Sequence, residues 1–235
     1  KSETPWLSNE IWRDNAGEQT PAELMESLKG RICFGGLDLA MVSDLSVLCL
    51  CFPPKEAGER VKFIYFAFCA TDTAMKRHEL DAVPYLQWAD LGYLILTPGN
   101  VTDFNFIKAK ILELAGMFNI HSIGYDPYAA THITTDLIDE GVQMEKYAQN
   151  VSTMSPMIKL VERAALNREL AHGNNPVLLW CLSNVQLINK VNDNVMLGKP
   201  NDGAKIDAVT AMVISYGQWQ EYPNVTDDEI LFAQL

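Results

Sequence analysis

Apolar positions are scattered over the first thirty residues and gather into dense runs from Arg31 onward. The early stretch reads as an irregular, peripheral lead-in with one short helix starting at Pro21, which Thr20 is placed to cap and Gly30 to end. Three apolar runs follow, at 32–40, 45–52 and 61–69, separated by a Ser43-Asp44 turn and the polar loop Pro53-Pro54-Lys55-Glu56-Ala57-Gly58. Short connections between such runs predict three consecutive strands in an antiparallel meander. The period then changes. A helical patch near 83–91 and a short strand at 93–96 lead through Pro98-Gly99-Asn100 into a helix over 102–118, with Phe104, Ile107, Ile111, Ala115 and Phe118 as its apolar stripe. A strand over 121–126 stops at Pro127, a helix over 130–140 stops at Gly141, and another strand covers 142–147. Helices starting at Ser155-Pro156, at Asn175-Pro176 and near Ala204 complete the core, with no internal repeat or low-complexity tract.

Three antiparallel strands followed by alternating helices and strands is the order of the ribonuclease H-like fold. That is an α/β architecture in which a mixed sheet, the meander extended by parallel strands, is flanked by helices. The expected division is a lead-in over 1–30, a domain over 31–220 and an acidic tail over 221–235. One charged position breaks the apolar pattern: Asp38 lies inside the first strand, between Leu37 and Leu39. An unpaired buried carboxylate costs several kcal/mol or more, so Asp38 needs a hydrogen-bond donor, an arginine or a metal ion. In this strand order Asp126, at the end of the adjoining strand, and Asp207, in the first turn of the last long helix, can converge on it. Taken alone, Asp126 before Pro127 also suits a turn or a helix cap, and Asp207 also suits the helix dipole. Together the three suit phosphodiester hydrolysis assisted by two divalent ions about 3.5–4 Å apart. Hard oxygen ligands favour Mg²⁺ or Mn²⁺, with Asp38 bridging both ions, Asp126 on one and Asp207 on the other.

Composition narrows the setting. With 235 residues, 48% hydrophobic and 20% charged, the chain can bury a full core without staples. Its five cysteines are odd in number, form no CxxC pair and lie mostly in apolar runs, which favours a reducing compartment. No apolar run reaches the roughly 18 residues of a membrane span, and Glu3, Glu10, Asp14 and Glu18 stand where a signal peptide would be basic and then apolar. These features suit a soluble cytosolic chain, and the start at Lys1 suits a fragment or a processed product. The net charge of −12 is uneven. Residues 146–205 hold seven Lys or Arg (146, 159, 163, 168, 190, 199, 205) against four acids (162, 169, 193, 202), a local net of +3. Lys159 and Arg163 therefore mark a candidate DNA path.

Five stretches stand in order along the chain: Gly35-Gly-Leu-Asp-Leu-Ala with Ser43-Asp-Leu-Ser; Tyr85-Leu-Gln-Trp-Ala-Asp-Leu-Gly-Tyr-Leu-Ile-Leu-Thr-Pro-Gly-Asn100; Gly124-Tyr-Asp-Pro127; Asn175-Pro176 with Trp180 and Asn184; and Lys205-Ile-Asp-Ala-Val-Thr-Ala-Met212. In these stretches and their order the chain resembles the carboxyl-terminal nuclease domain of the large terminase subunit of tailed bacteriophages. The resemblance implies an endodeoxyribonuclease that cuts concatemeric viral DNA during packaging, with Asp38, Asp126 and Asp207 as both catalytic residues and metal ligands. It also implies double-stranded DNA, a terminase ATPase domain, the portal protein and the small terminase subunit as partners. The place of action would be the host cytoplasm, with no membrane and no place in the finished virion. Two departures bear on this. The nearest approach to a phosphate-binding loop, Gly198-Lys-Pro-Asn-Asp-Gly-Ala-Lys205, has Ala204 where the motif requires lysine, so the ATPase motor is expected to be absent from this chain. Ala208 follows Asp207 where some relatives have a further acid or histidine, which implies a weaker second metal site.

Other polar residues carry less. Asp44 suits a turn more than an outer role at the metal site, and His172 before Gly173 suits a helix end more than a proton donor. Lys205 suits either a scissile-phosphate contact or a solvated position. Trp180 and Asn184, four apart, suit packing plus an amide hydrogen bond. Two rivals have other functions. In a non-catalytic assembly module the aspartates would be structural and the tail Thr226-Asp-Asp-Glu-Ile-Leu-Phe would dock a partner. In an actin-like or sugar-kinase ATPase fragment Gly36-Leu-Asp-Leu would grip phosphate, but that fold needs the unit twice.

Overall fold

The computed structural model describes residues 5–40, 45–81, 83–128 and 131–227. In chain order these form α1 (Asn9–Asp14), α2 (Pro21–Ser27), β1 (Ile32–Asp38), β2 (Ser46–Phe52), β3 (Val61–Ala70), α3 (Thr71–Asp81), α4 (Tyr85–Asp90), β4 (Leu94–Thr97), α5 (Phe104–Ala115) and β5 (Asn119–Tyr125). There follow α6 (Thr131–Asp139), β6 (Met144–Lys146), α7 (Val151–Leu166), β7 (Leu170–Ala171), α8 (Pro176–Asn184), β8 (Gln186–Asn189), β9 (Val195–Gly198) and α9 (Asp207–Glu221). The main sheet has the order β4-β3-β2-β1-β5-β6, with β7 beside β3. Strands β1, β2 and β3 are the antiparallel meander, and β5 pairs parallel with β1, β6 with β5 and β4 with β3.

Strand β2 is buried at every position because the sheet is covered on both faces, which is why it reads as a continuous apolar run. One face packs α1, α4, α7, α8 and α9, and the other α2, α5 and α6. All five cysteines are buried and free, as small apolar side chains of these layers. Among the described residues no helix is long and apolar enough to cross a membrane.

Several boundaries differ from the sequence expectation. The lead-in is not peripheral: Trp6 and Trp12 enter one core layer and Leu24 and Leu28 the other. Thr20 and Glu23 do form a reciprocal capping box on α2. Helix α3, largely polar and with little apolar periodicity, is absent from the sequence reading, as is the β8–β9 hairpin, whose turn places Asn192 and Asp193 in left-handed backbone. Helix α7 starts five residues before Pro156, because Asn150 Oδ1 accepts from the Thr153 N–H at 3.0 Å and caps it. In α5 the fourth core position is Leu114 rather than Ala115, since Ile107, Ile111, Leu114 and Phe118 keep the 3.6-residue period. At the carboxyl end, Asp227 accepts from Arg31 Nε and from the Ile32 N–H, both at 2.6 Å, and so ties the segment after α9 to the start of β1. Residues 228–235, which hold most of the expected docking tail, and Asp44 lie outside the described residues.

Candidate active site

Two parallel strands set the edge of the site. The β1–β5 register pairs Gly36 with Gly124 and Leu37 with Tyr125. Asp38 ends β1 and Asp126 directly follows β5, so both stand at the same carboxyl end of neighbouring strands. Helix α9 brings the third carboxylate. A Cβ on Gly36 would fall on the Ala211 carbonyl oxygen and come within 2.5 Å of the Ser215 nitrogen, and a Cβ on Gly124 would meet Ile214 and Gln218. The helix therefore runs back along β1 and β5 in close backbone contact. Its first residue, Asp207, hangs over the strand ends at only 9% exposure.

The surroundings show how these groups sit. Gln149 Nε2 donates to Asp38 Oδ1 at 3.1 Å, and the Tyr128 N–H donates to Asp126 Oδ1 at 3.0 Å. The Tyr128 ring is 95% exposed, so this end of β5 opens to solvent. Burial pushes the Cys181 thiol of α8 up, and Asp207 and Asp38 push it further, so both carboxylates act on one buried sulfur. The Cys69 thiol at the end of β3 is pushed up to about 11, chiefly by burial, with Lys205 and Arg77 pulling it down and Asp207 up. Lys205 is 1% exposed and its Nζ donates to the Asp202 carbonyl at 3.1 Å. Among the described residues no three His, Cys, Asp or Glu side chains stand close enough to enclose an ion as they are. The donors gathered at this edge are carboxylates, a set that fits hard divalent ions such as Mg²⁺ or Mn²⁺ better than soft ones.

A family model described as terminase large subunit, endonuclease domain, matches residues 1–222. The chain belongs to this terminase endonuclease-domain family. The large subunit of the terminase of Enterobacteria phage HK97 is 29% identical over 217 residues, covering 91% of this chain and 41% of that protein. The crystal structure of the HK97 large terminase matches with a TM-score of 0.81 at 26% identity, over 92% of this chain and 44% of that one. A large terminase nuclease from thermophilic phage G20c, solved with bound magnesium, shares the fold with a TM-score of 0.51 at 12% identity, over 86% of this chain and 98% of that one. The chain thus spans less than half the length of the curated relatives it matches. The ribonuclease H-like mixed sheet read from the sequence is the fold of this family.

Within the terminase nuclease fold the lesser candidates fall in different places. His172 is remote from the aspartates. It follows β7, which pairs with the first residues of β3, whereas Asp38 lies level with Ala67 near the other end of that strand. Its role is to dock α1: Nε2 donates to the Trp12 carbonyl at 2.8 Å while Nδ1 accepts from the Asn174 N–H at 3.2 Å, an arrangement that fixes a neutral ring. Lys205 is not solvated, as its burial shows. Lys159 and Arg163 are exposed on α7, a helix that starts at Asn150 next to Gln149, and they lie about two and a half and three and a half turns along it. Asn184 Nδ2 donates to the Lys205 carbonyl at 3.0 Å, and Trp180 packs against Tyr85 and Trp88 with ring centroids 5.7 and 5.6 Å away. Both therefore do the packing work read from their spacing. Gln149 was not legible as a partner of Asp38, since it lies in no motif and only the closed fold brings the two together.

Burial holds the His172 imidazole below its ordinary pKa. A folded-state pKa below the unfolded value of about 6.5 gives stability that is complete above that pH and is lost as pH falls toward the folded value. The stability gap between the parent and His172→Gln is therefore expected to narrow between pH 7.5 and 5 in urea melts. A gap that stays constant would show that the ring does not titrate against its two backbone partners.

Proposed function

We propose that this chain is a metal-dependent DNA endonuclease that cuts concatemeric DNA for a viral packaging terminase. What supports the reading is that Asp38 ends β1 and Asp126 follows β5, its parallel neighbour, while α9, whose first residue is Asp207, packs back along both strands. On this reading Asp38 would hold both of two ions, Asp126 one and Asp207 the other. Bound there, two divalent ions supply an activated water and stabilise the leaving oxygen of a phosphodiester. The protein's own share is to hold the carboxylates in place on rigid backbone and to keep the site open at Tyr128 for a duplex to approach. The G20c nuclease, of the same fold and solved with bound magnesium, supports a hard divalent ion such as Mg²⁺ here.

Double-stranded DNA is the substrate on this reading. The terminase ATPase domain, the portal protein and the small subunit are its partners, and the host cytoplasm is its place of action. Supercoiled-plasmid nicking tests it: conversion to open circles with Mn²⁺ or Mg²⁺ and none with EDTA is expected, while silence with every divalent ion would leave the assembly-module reading in its place.

Affinity for DNA grows with the number of phosphate contacts, each contributing to a salt-dependent term, and a chain at −12 has few to offer. Nicking by this chain alone is expected to be weak, indifferent to sequence and steeply reduced by salt, with the partners supplying grip and timing. Charge reversal at Lys159 or Arg163 should lower it more than reversal at Lys55 or Lys62, which pair with Asp227 and Glu59. Equal loss from all four would move the DNA path away from α7. Reversal at Lys205 is a different test, because a buried acid there would damage the fold.

A further inference from the structure

We propose that Gln149 is a positioning residue for Asp38, an inference that rests on the metal-dependent reading above. The amide Nε2 donates to Asp38 Oδ1 at 3.1 Å across 111 residues of chain. What gives this contact weight is how firmly the donor is held. Two residues earlier, Tyr147 is buried, and its N–H donates to the Tyr125 carbonyl at 2.7 Å. Its ring lies against Gly217 of α9, where any Cβ would collide with the phenol. One residue later, Asn150 caps α7, its Oδ1 accepting from the Thr153 N–H at 3.0 Å and the Ser152 hydroxyl at 2.7 Å. Gln149 therefore sits on a short bridge clamped at both ends, and the same β5–β6 edge that presents Asp126 delivers it to Asp38.

The backbone two residues beyond Asp38 is held as well. The Ser46 hydroxyl, fully buried, donates to the Ala40 carbonyl and accepts from the Ala40 N–H, both at 3.0 Å, which fixes the backbone leaving β1. The strand and the serine fix the backbone around Asp38, and the amide sets the direction of its carboxylate. The choice of an amide has a chemical consequence. A neutral donor orients a carboxylate without cancelling its charge, whereas an arginine or lysine in its place would compete with a cation. Groups that orient a metal ligand in this way cost about 10–100-fold in metal affinity or activity when removed.

The test is calorimetric titration of the metal-free protein with MnCl₂ in the absence of DNA, run beside the Mn²⁺ dependence of plasmid nicking. Gln149→Met keeps the length and apolar body of the side chain and removes only the donor; Gln149→Ala is the second variant should methionine pack badly. Both are expected to weaken Mn²⁺ binding about tenfold, to raise the Mn²⁺ concentration for half-maximal nicking by the same factor, and to leave the melting temperature of the metal-free protein unchanged. Affinity within twofold of the parent in both variants, while Asp38→Asn abolishes binding, overturns the role of Gln149 and leaves the nuclease reading standing. Unaltered Mn²⁺ binding in Asp38→Asn overturns the nuclease reading and the role of Gln149 with it.

Discussion

Asp38→Asn, Asp126→Asn and Asp207→Asn are each expected to reduce Mn²⁺-dependent nicking at least a hundredfold while the protein stays folded. Each change removes one formal charge from a site whose proposed work is to hold divalent ions. Metal stabilisation of a phosphoryl transition state amounts to several kcal/mol, and about 1.4 kcal/mol is a factor of ten in rate, so losing one ligand charge should cost at least about two decades. The variants should differ in stability. Asp38 and Asp126 end neighbouring strands, and an asparagine of the same shape at either should leave the melting temperature of the metal-free protein level. Asp207 lies in the first turn of α9, where a negative charge complements the helix dipole by about 0.3–1 kcal/mol, so its asparagine variant should melt slightly lower. Plasmid nicking beside thermal melts by circular dichroism gives both numbers. Parent-level nicking in a well-folded Asp38→Asn protein would sink the proposed mechanism.

The second large effect is steric. Gly36→Ala should lower the melting temperature by about 10 °C, and Gly36→Val should prevent folding at 37 °C. The new Cβ would land on backbone atoms of α9, the Ala211 carbonyl oxygen and the Ser215 nitrogen, and backbone in a buried helix cannot rotate aside. Overpacking costs typically about 1–3 kcal/mol and more where nothing can yield, and about 2–4 °C of melting temperature goes with each kcal/mol in a domain of this size. Because α9 also carries Asp207, any Gly36→Ala protein that does fold should nick poorly, as its helix is lifted from the strands. Trimming the Ala211 side chain to glycine should not rescue it, since the colliding atom is the carbonyl oxygen. A Gly36→Ala protein melting within 3 °C of the parent would show that α9 moves away more easily than its packing suggests.

The sequence by itself determined the elements whose cause is local. Dense apolar runs bounded by turn residues marked β1, β2 and β3; Asn175 before Pro176 marked the start of α8; and Asp38 stood out because the apolar run over 32–40 encloses it, although in the structure β1 ends at Asp38, which is only half-buried. The strand order followed from the switch in period after the meander, and with it the position of Asp38 and Asp126 at the same end of neighbouring strands. What local pattern does not encode was decided only by the tertiary structure. The lead-in looked peripheral because its few apolar residues have no period, yet Trp6, Trp12, Leu24 and Leu28 fill gaps in layers built by other elements. Lys205 suited a phosphate contact or a solvated position equally until its burial removed the second, and His172 looked like a helix end until α1 closed over it. Gln149 meets Asp38 only because Tyr147 is locked against α9 and Asn150 caps α7, so its partner is set by packing between elements far apart in the chain. Burial and long-range hydrogen bonds are properties of the assembled layers, and no window of sequence contains them.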